Sequence, residues 1–349
     1  MLSAGKNYVR VLAGEEPEYV PQYSFGPMMG FPPPYSNYIM GPPVIRPAFD
    51  PDKPRTDLFG VPYVTTDSAG GAGLPANDHF ILPLEGIENW GDYIKIPVIA
   101  DVDWEAMATD SIKQSGINRE ESALTYSGGG GYFMQLMAFM GFENGMIALY
   151  EYPDSVKEML DAISDMYVGV AKKCLHFYAP DIIGFGDDIA TWQNPFVSPD
   201  MFREFFMPYH DKMAAIGRER GILMEMHCCG RTEDNIPIYK ELGMNGWSAV
   251  QSCNDTDAVK AEYGDWLTIM GGWDPVGRLL LPLESPENPD GVTEEEIRLS
   301  ARAVIDRLAP GGRYVWCSGY LAAVGDTDNQ KKNEILQDEA TQYGLTFYK

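Results

Sequence analysis

DIIGFGDDIATWQNPFVSPDMFREFFMPYHDKMAAIGRERGILMEMHCCG, residues 181–230, is the stretch whose reading decides the fold. Its opening, DIIGFGDD (181–188), is a short apolar run bounded by carboxylates, the pattern of a buried strand. Ser198 and Pro199 then signal a helix start. A serine hydroxyl accepts from a free backbone N–H, and proline has none to leave unpaired at the first helical position. A helix is expected over 198–221, stopped near Gly221, and GILMEMHCCG (221–230) reads as the next strand. Strand, helix and strand in this order form a parallel βαβ unit.

The rhythm continues toward the C-terminus. NGWSAVQSC (245–253), WLTIMGGWD (266–274) and RYVWCSGY (313–320) read as strands. DNIPIYKELG (234–243), DTDAVKAEYG (255–264), TEEEIRLSARAVIDRLAPGG (293–312) and a last segment near NQKKNEILQDEATQYG (329–344) read as helices. Toward the N-terminus, Val156, Met159, Leu160, Ile163, Met166 and Tyr167 share one face of a helix expected over 154–178. ESALTYS (121–127), with Tyr126 near its end, is a strand running into a four-glycine turn, Gly128 to Gly131. That turn has neither GxGxxG spacing nor a GK[ST] ending, so it is not read as a phosphate loop.

The strands end in chemically able residues: Asp187 and Asp188; Glu225, His227 and Cys229; Gln251 and Cys253; Trp273 and Asp274; Cys317 and Tyr320. Such residues at successive strand ends suit one barrel mouth, whereas a doubly wound sheet gathers its chemistry at a single switch point. The expected fold is α/β, a single (β/α)8 TIM barrel over residues 96–349. Residues 1–95 are loop-rich, with Pro, Gly and Tyr dense in YSFGPMMGFPPPYSNYIMGPP (23–43). They are expected to lack long regular elements and to form an irregular segment on the barrel, within one domain.

Composition narrows the function classes. Among 349 residues the net charge is −25, which repels a nucleic-acid backbone and an anionic membrane surface. No apolar run reaches the length of about 18 that a membrane span needs. The opening MLSAGKNYVRVLAG lacks a signal-peptide core. Five cysteines, an odd and sparse set, read as free thiols in a reducing cytoplasm.

Glu225, His227 and Cys229 follow one another at every second residue, so a strand presents all three on one face. Imidazole, thiolate and carboxylate are zinc ligands, and Cys317 ends a later strand that opens on the same mouth. The competing reading makes the cysteines small buried hydrophobes and the histidine a hydrogen-bonded core residue. Asp187 and Asp188 point to opposite faces, and Asp187 is the one expected to act on substrate. Tyr126, Gln251, Trp273, Asp274 and Tyr320 are expected to line a largely apolar pocket with a few orienting polar groups.

IGFGDD through MEMHCCG (183–230) resembles the uroporphyrinogen decarboxylase superfamily, in its strand ending in Asp-Asp, its Ser-Pro helix start and its strand ending in His-x-Cys-Gly or a variant. NYVRVLAGEEPEYVP (7–21), DLFGVPY (57–63), the glycine turn and GGRYVWCSGY (311–320) extend the resemblance over nearly the whole chain. The resemblance implies a TIM barrel and one of two chemistries. True decarboxylases carry an arginine-bearing N-terminal motif that grips carboxylates, and the corresponding PEYVPQYSFGPMMGF (17–31) has no Arg. The other branch comprises corrinoid-dependent methyltransferases, some with a zinc motif whose first two ligands match His227 and Cys229. GIENWGDYIKIP (86–97) and YGLTFY (343–348) are similar to the branch that demethylates methoxylated aromatics or related methyl donors. The usual final cysteine falls on Tyr320, with Cys317 a few residues earlier, which leaves the third ligand open between Cys317 and Glu225.

The resemblance therefore implies methyl transfer from a small methoxylated donor to the cobalt of a corrinoid, with Asp187 and His227 as catalytic residues. No Asp-x-His-x-x-Gly corrinoid signature occurs, so the corrinoid is expected on a separate partner protein. The alternatives are methyl transfer from a corrinoid to a thiol, decarboxylation, and a non-catalytic tetrapyrrole-binding or carrier-docking barrel.

Overall fold

The structure, a computed structural model, describes residues 1–23, 36–45, 55–65, 73–76, 79–99, 101–128, 130–323 and 325–349. Much of the Pro-rich stretch 23–43, most of the SAGGAG run at 68–73 and Gly129 of the glycine turn lie outside them. Among the described residues, seven strands form one parallel sheet in the order β1, β4, β5, β6, β7, β8, β9. They are β1 (Asn37–Met40), β4 (Ala123–Tyr126), β5 (Ile182–Gly186), β6 (Leu223–His227), β7 (Gly246–Val250), β8 (Thr268–Gly271) and β9 (Tyr314–Val315). A separate antiparallel pair, β2 (Tyr63–Thr65) and β3 (Gly73–Pro75), lies outside that sheet.

Helices α1 (Ala4–Ala13), α2 (Trp90–Tyr93) and α3 (Trp104–Ser115) precede β4. After β4 come α4 (Tyr132–Met140), α5 (Phe142–Glu151) and α6 (Pro153–Phe177). After β5 come α7 (Pro199–Phe205) and α8 (Met207–Arg220). Then α9 (Ile236–Leu242), α10 (Thr256–Tyr263), α11 (Glu294–Leu308) and α12 (Thr327–Gly344) follow β6, β7, β8 and β9 in turn. The expected helix over 198–221 is two helices, because Pro208 opens α8 and cannot donate into the preceding turn. Ser198 does cap α7, its hydroxyl accepting from Met201 N at 3.2 Å.

The stretch 1–95, expected to be irregular, contains α1 and the edge strand β1. α1 is bounded by a Ser3 cap and by Gly14 in the left-handed region, signals that Pro and Gly density averaged over a long segment conceals. β1 has four residues and no alternation; what makes it a strand is its ladder with β4.

Each strand divides its side chains between two layers. Ile183, Phe185, Met224 and Met226 pack outward against the helices, while Ile182, Leu223, Met270 and Val315 point to the inner face. The sheet is curled: Tyr23 is bound through backbone hydrogen bonds beside Trp316, yet its hydroxyl donates to Glu225 in the central strand β6 at 3.0 Å. α1 closes the N-terminal end of this inner space. Tyr8, Val11 and Leu12 are fully buried there, and burial of Val11 or Leu12 contributes about 1.5–3 kcal/mol each. The approach is close enough that a Cβ on Gly5 would lie 2.3 Å from Ala123 N. With that end plugged, chemistry is left to the C-terminal ends of the strands. No helix among the described residues is long and apolar enough to cross a membrane.

Candidate functional site

Strand parity assigns the first residues of the site. On β5, Ile182 faces inward, so Gly184 and Gly186 do too, and Asp188 continues that face just past the strand end. On β6 the inward set is Leu223, Glu225 and His227. Gly186 and His227 are register partners across the two strands. Asp188 and Cys229 therefore meet His227 at one level, and Asp188, His227 and Cys229 place their ligand atoms within 4.8 Å of one another.

His227 Nε2 lies 3.6 Å from Cys229 Sγ and 3.9 Å from Asp188 Oδ1. Tetrahedral zinc with bonds of about 2.3 Å to sulfur and about 2.0 Å to nitrogen sets those two atoms about 3.5 Å apart. The set fits such an ion with three protein ligands and an open position. The ring is also oriented: Ser248 Oγ sits 3.3 Å from Nδ1, which directs Nε2 to the other two groups. Asp188 Oδ1 accepts from Cys229 N at 2.8 Å and holds that loop. Burial lowers the His227 pKa against the pull of Asp188. Burial, reinforced by Asp188, pushes the Cys229 thiol well up. By itself this site keeps the thiol protonated, and a bound cation is what would hold it as thiolate.

Asp187, expected to act on substrate, faces the other way. Its carboxylate accepts from Phe133 N and Met134 N at 3.0 Å each, capping α4 where Gly131 offers no side chain. It also pairs with His210 Nε2 at 3.2 Å, both side chains 1% exposed. Gly131 is needed for this docking, since a Cβ there would stand 2.9 Å from Gly186 O. Part of the glycine turn is thus explained by close packing.

Other expected lining residues are also elsewhere. Tyr126 faces outward from β4, its hydroxyl toward Cys174 on α6. Trp273 donates to Ser300 Oγ on α11 and packs edge-on to Tyr320, which is buried beneath Lys332 of α12. These aromatics belong to the layer between sheet and helices, because even the residues after a strand keep its parity. Gln251 and Asp274 do lie at strand ends, where they tie loops together: Gln251 Oε1 accepts from Gly230 N at 2.7 Å and Asp274 Oδ2 from Ser252 N at 2.5 Å.

Glu225 and Cys317, the two expected third ligands, are not in the three-residue group, and Asp188 is. Glu225 lies one inward position deeper, fully buried, accepting from Tyr8 and Tyr23. Cys317 is buried on the same inner face, close enough to interact electrostatically with both Glu225 and Cys229. Sequence reasoning named Asp188 at its strand end but chose Asp187, and it missed Ser248, Tyr8 and Tyr23. The adjacent isoleucines of β5 conceal its parity, and the tyrosines arrive from distant segments.

Burial raises the Glu225 pKa to about 7, against the two tyrosine hydrogen bonds that lower it. A folded pKa above the unfolded one means that protonated Glu225 stabilises the fold at low pH. That contribution is complete below the ordinary carboxylate value of 4.5 and is lost as pH rises through about 7. The difference corresponds to roughly 3 kcal/mol. Glu225→Gln, which stays neutral, is expected to lose this dependence. In metal-free protein, the stability gap between the variant and wild type should move by roughly 3 kcal/mol in the variant's favour between pH 4 and pH 8, read by urea unfolding. A gap that does not move with pH would show that Glu225 titrates alike in the folded and unfolded chain.

Comparison with known proteins follows the same segment of chain. The family model described as Uroporphyrinogen decarboxylase (URO-D) matches residues 117–321, more than half of the sequence. Among solved structures, a methyltransferase from Methanosarcina mazei is similar over 100% of both chains, with a TM-score of 0.61 at 14% sequence identity, a likeness of fold. A search of curated proteins finds no match.

Proposed function

The chain belongs to the uroporphyrinogen decarboxylase family, and from that premise we propose that it is a methyltransferase that takes a methyl group from a small methoxylated donor and passes it to a corrinoid held by a separate protein. The observation that carries this reading is the half-buried group of Asp188, His227 and Cys229 at adjoining strand ends. Decarboxylation of a polycarboxylate is disfavoured because none of the seven parallel strands contains Lys or Arg to grip such a substrate.

In this reading His227, Cys229 and Asp188 hold a zinc ion, which supplies Lewis acidity toward the oxygen that loses its methyl group. Ser248 fixes the imidazole orientation, and the Asp188 contact to Cys229 N holds the thiol in place. The mouth stays open to the partner, whose reduced cobalt supplies the nucleophile. The reading also includes a closed (β/α)8 barrel, with the Pro21–Tyr23 segment beside β9 as its closing edge, residues 1–95 packed on it, and a cytoplasmic location. A second reading, methyl transfer from the corrinoid to a thiol, draws on the same donor set, since zinc at a sulfur-containing site favours thiolate.

The test is a methyl-transfer assay with a reduced corrinoid protein and a panel of methoxyarenes, methylamines, methanol and thiols. Turnover of a methoxyarene with the reduced corrinoid protein supports the first reading, and formation of a methyl thioether from a thiol and the methylated corrinoid protein supports the second. Activity without any corrinoid overturns both. Ser248→Ala is expected to weaken zinc binding by roughly 10–100-fold while the fold is kept, because the imidazole loses its orienting partner. A chelator-competition titration measures this, and unchanged affinity would remove Ser248 from the site.

A further inference from the structure

We propose that Gly186 is a specificity-determining position: its missing side chain leaves room directly beside His227 in which the body of the methyl donor lies. The identity of the donor rests on the methyl-transfer reading above. The room itself rests on the geometry of β5.

Glycine inside a strand is unfavourable, since it costs chain entropy and packs nothing, so it calls for a reason. Backbone conformation is not the reason here, because neither Gly184 nor Gly186 has a positive φ. For Gly184 packing supplies one: a Cβ there would come within 3.0 Å of Thr125 Cγ2 and 3.7 Å of Glu225 Oε1. Gly186 is different. A Cβ there would meet His227 Cβ at 3.7 Å and His227 O at 3.9 Å, ordinary contacts, and no other described residue within 4 Å. Gly131 needs to be glycine to approach the Gly186 carbonyl, but that approach asks nothing of Gly186 itself.

The structure thus has room for a Cβ at Gly186, and the chain does not supply one. The position is partly exposed, faces inward by strand parity, pairs in register with His227 and lies two residues before Asp188. A side chain there would project into the mouth against the imidazole. Its absence leaves a strip of bare backbone beside the three donor groups, a surface on which a flat ring can rest with its ether oxygen toward His227 and Asp188.

The test is the series Gly186→Ala, Gly186→Val and Gly186→Leu. All three are expected to bind zinc as wild type does and to melt no lower, since β-branched and larger residues favour strands. Methyl transfer is compared between methoxybenzene and methoxynaphthalene. The naphthalene-to-benzene ratio of kcat/KM should fall stepwise along the series, by about 100-fold at Leu. A second readout needs no turnover: alkylation of Cys229 in zinc-free protein, followed on its own peptide by mass spectrometry. Gly186→Leu should slow N-(1-pyrenyl)maleimide about tenfold more than iodoacetamide, the smaller reagent. If Leu prevents folding, Ala and Val carry the comparison. Both ratios staying at the wild-type value would overturn the proposal, and an alkylation shift with an unchanged donor ratio would overturn the assignment to the donor. An alkylation shift where wild type turns over no donor at all supports the room and removes the methyl-transfer reading instead.

Discussion

Cys229→Ala is expected to abolish zinc binding and to lower kcat/KM for methyl transfer by roughly 10³-fold or more. A metal at this site would stabilise developing charge by several kcal/mol, and about 4 kcal/mol corresponds to about 10³ in rate. The Cys229 thiol is buried enough that only a cation would hold it as thiolate, so sulfur and metal are lost together. His227→Ala should behave in the same way. A chelator should reproduce the loss in the wild type, and added zinc should restore it there but not in Cys229→Ala. Elemental analysis beside the transfer assay decides the matter: a metal-free wild type with full activity would end the metal reading.

Asp187→Ala is expected to destabilise the fold by about 3–5 kcal/mol, the cost of removing one member of a buried hydrogen-bonded group and leaving the others unpaired. Two N–H groups of α4 and the His210 ring lose their acceptor at once, in surroundings that admit almost no water. The neighbouring carboxylate should behave oppositely. Asp188 is partly exposed, its side chain at 37%, and its roles are local: it receives Cys229 N and faces His227. Asp188→Asn should therefore weaken zinc binding while shifting the urea midpoint little. One carboxylate serves the fold and the next serves the site. Equal effects of the two substitutions on stability would contradict this division.

That division marks where the sequence stops. The βαβ rhythm from 181 to 344 was legible because buried strands and amphipathic helices carry their own periodicities, with Ser198, Gly221 and Gly243 as local punctuation. His227 and Cys229 were legible for a related reason, two able residues at alternate positions where a strand gives out. What lies opposite them was not. Asp187 and Asp188 are equivalent by sequence, and only the pairing of β5 with β6, Gly186 level with His227, turns Asp188 to the site and Asp187 to α4. Parity likewise sends Trp273, Tyr126 and Tyr320 into the helix-facing layer, although composition alone suits them to a pocket. Tyr8 and Tyr23 reach Glu225 across more than 200 residues of chain, and β1 is a strand because β4 lies beside it. Local periodicity is written in neighbours along the chain and can be read there. Facing, register and long-range contact arise only when separate segments meet, and those decided which carboxylate, which serine and which glycine stand at the mouth.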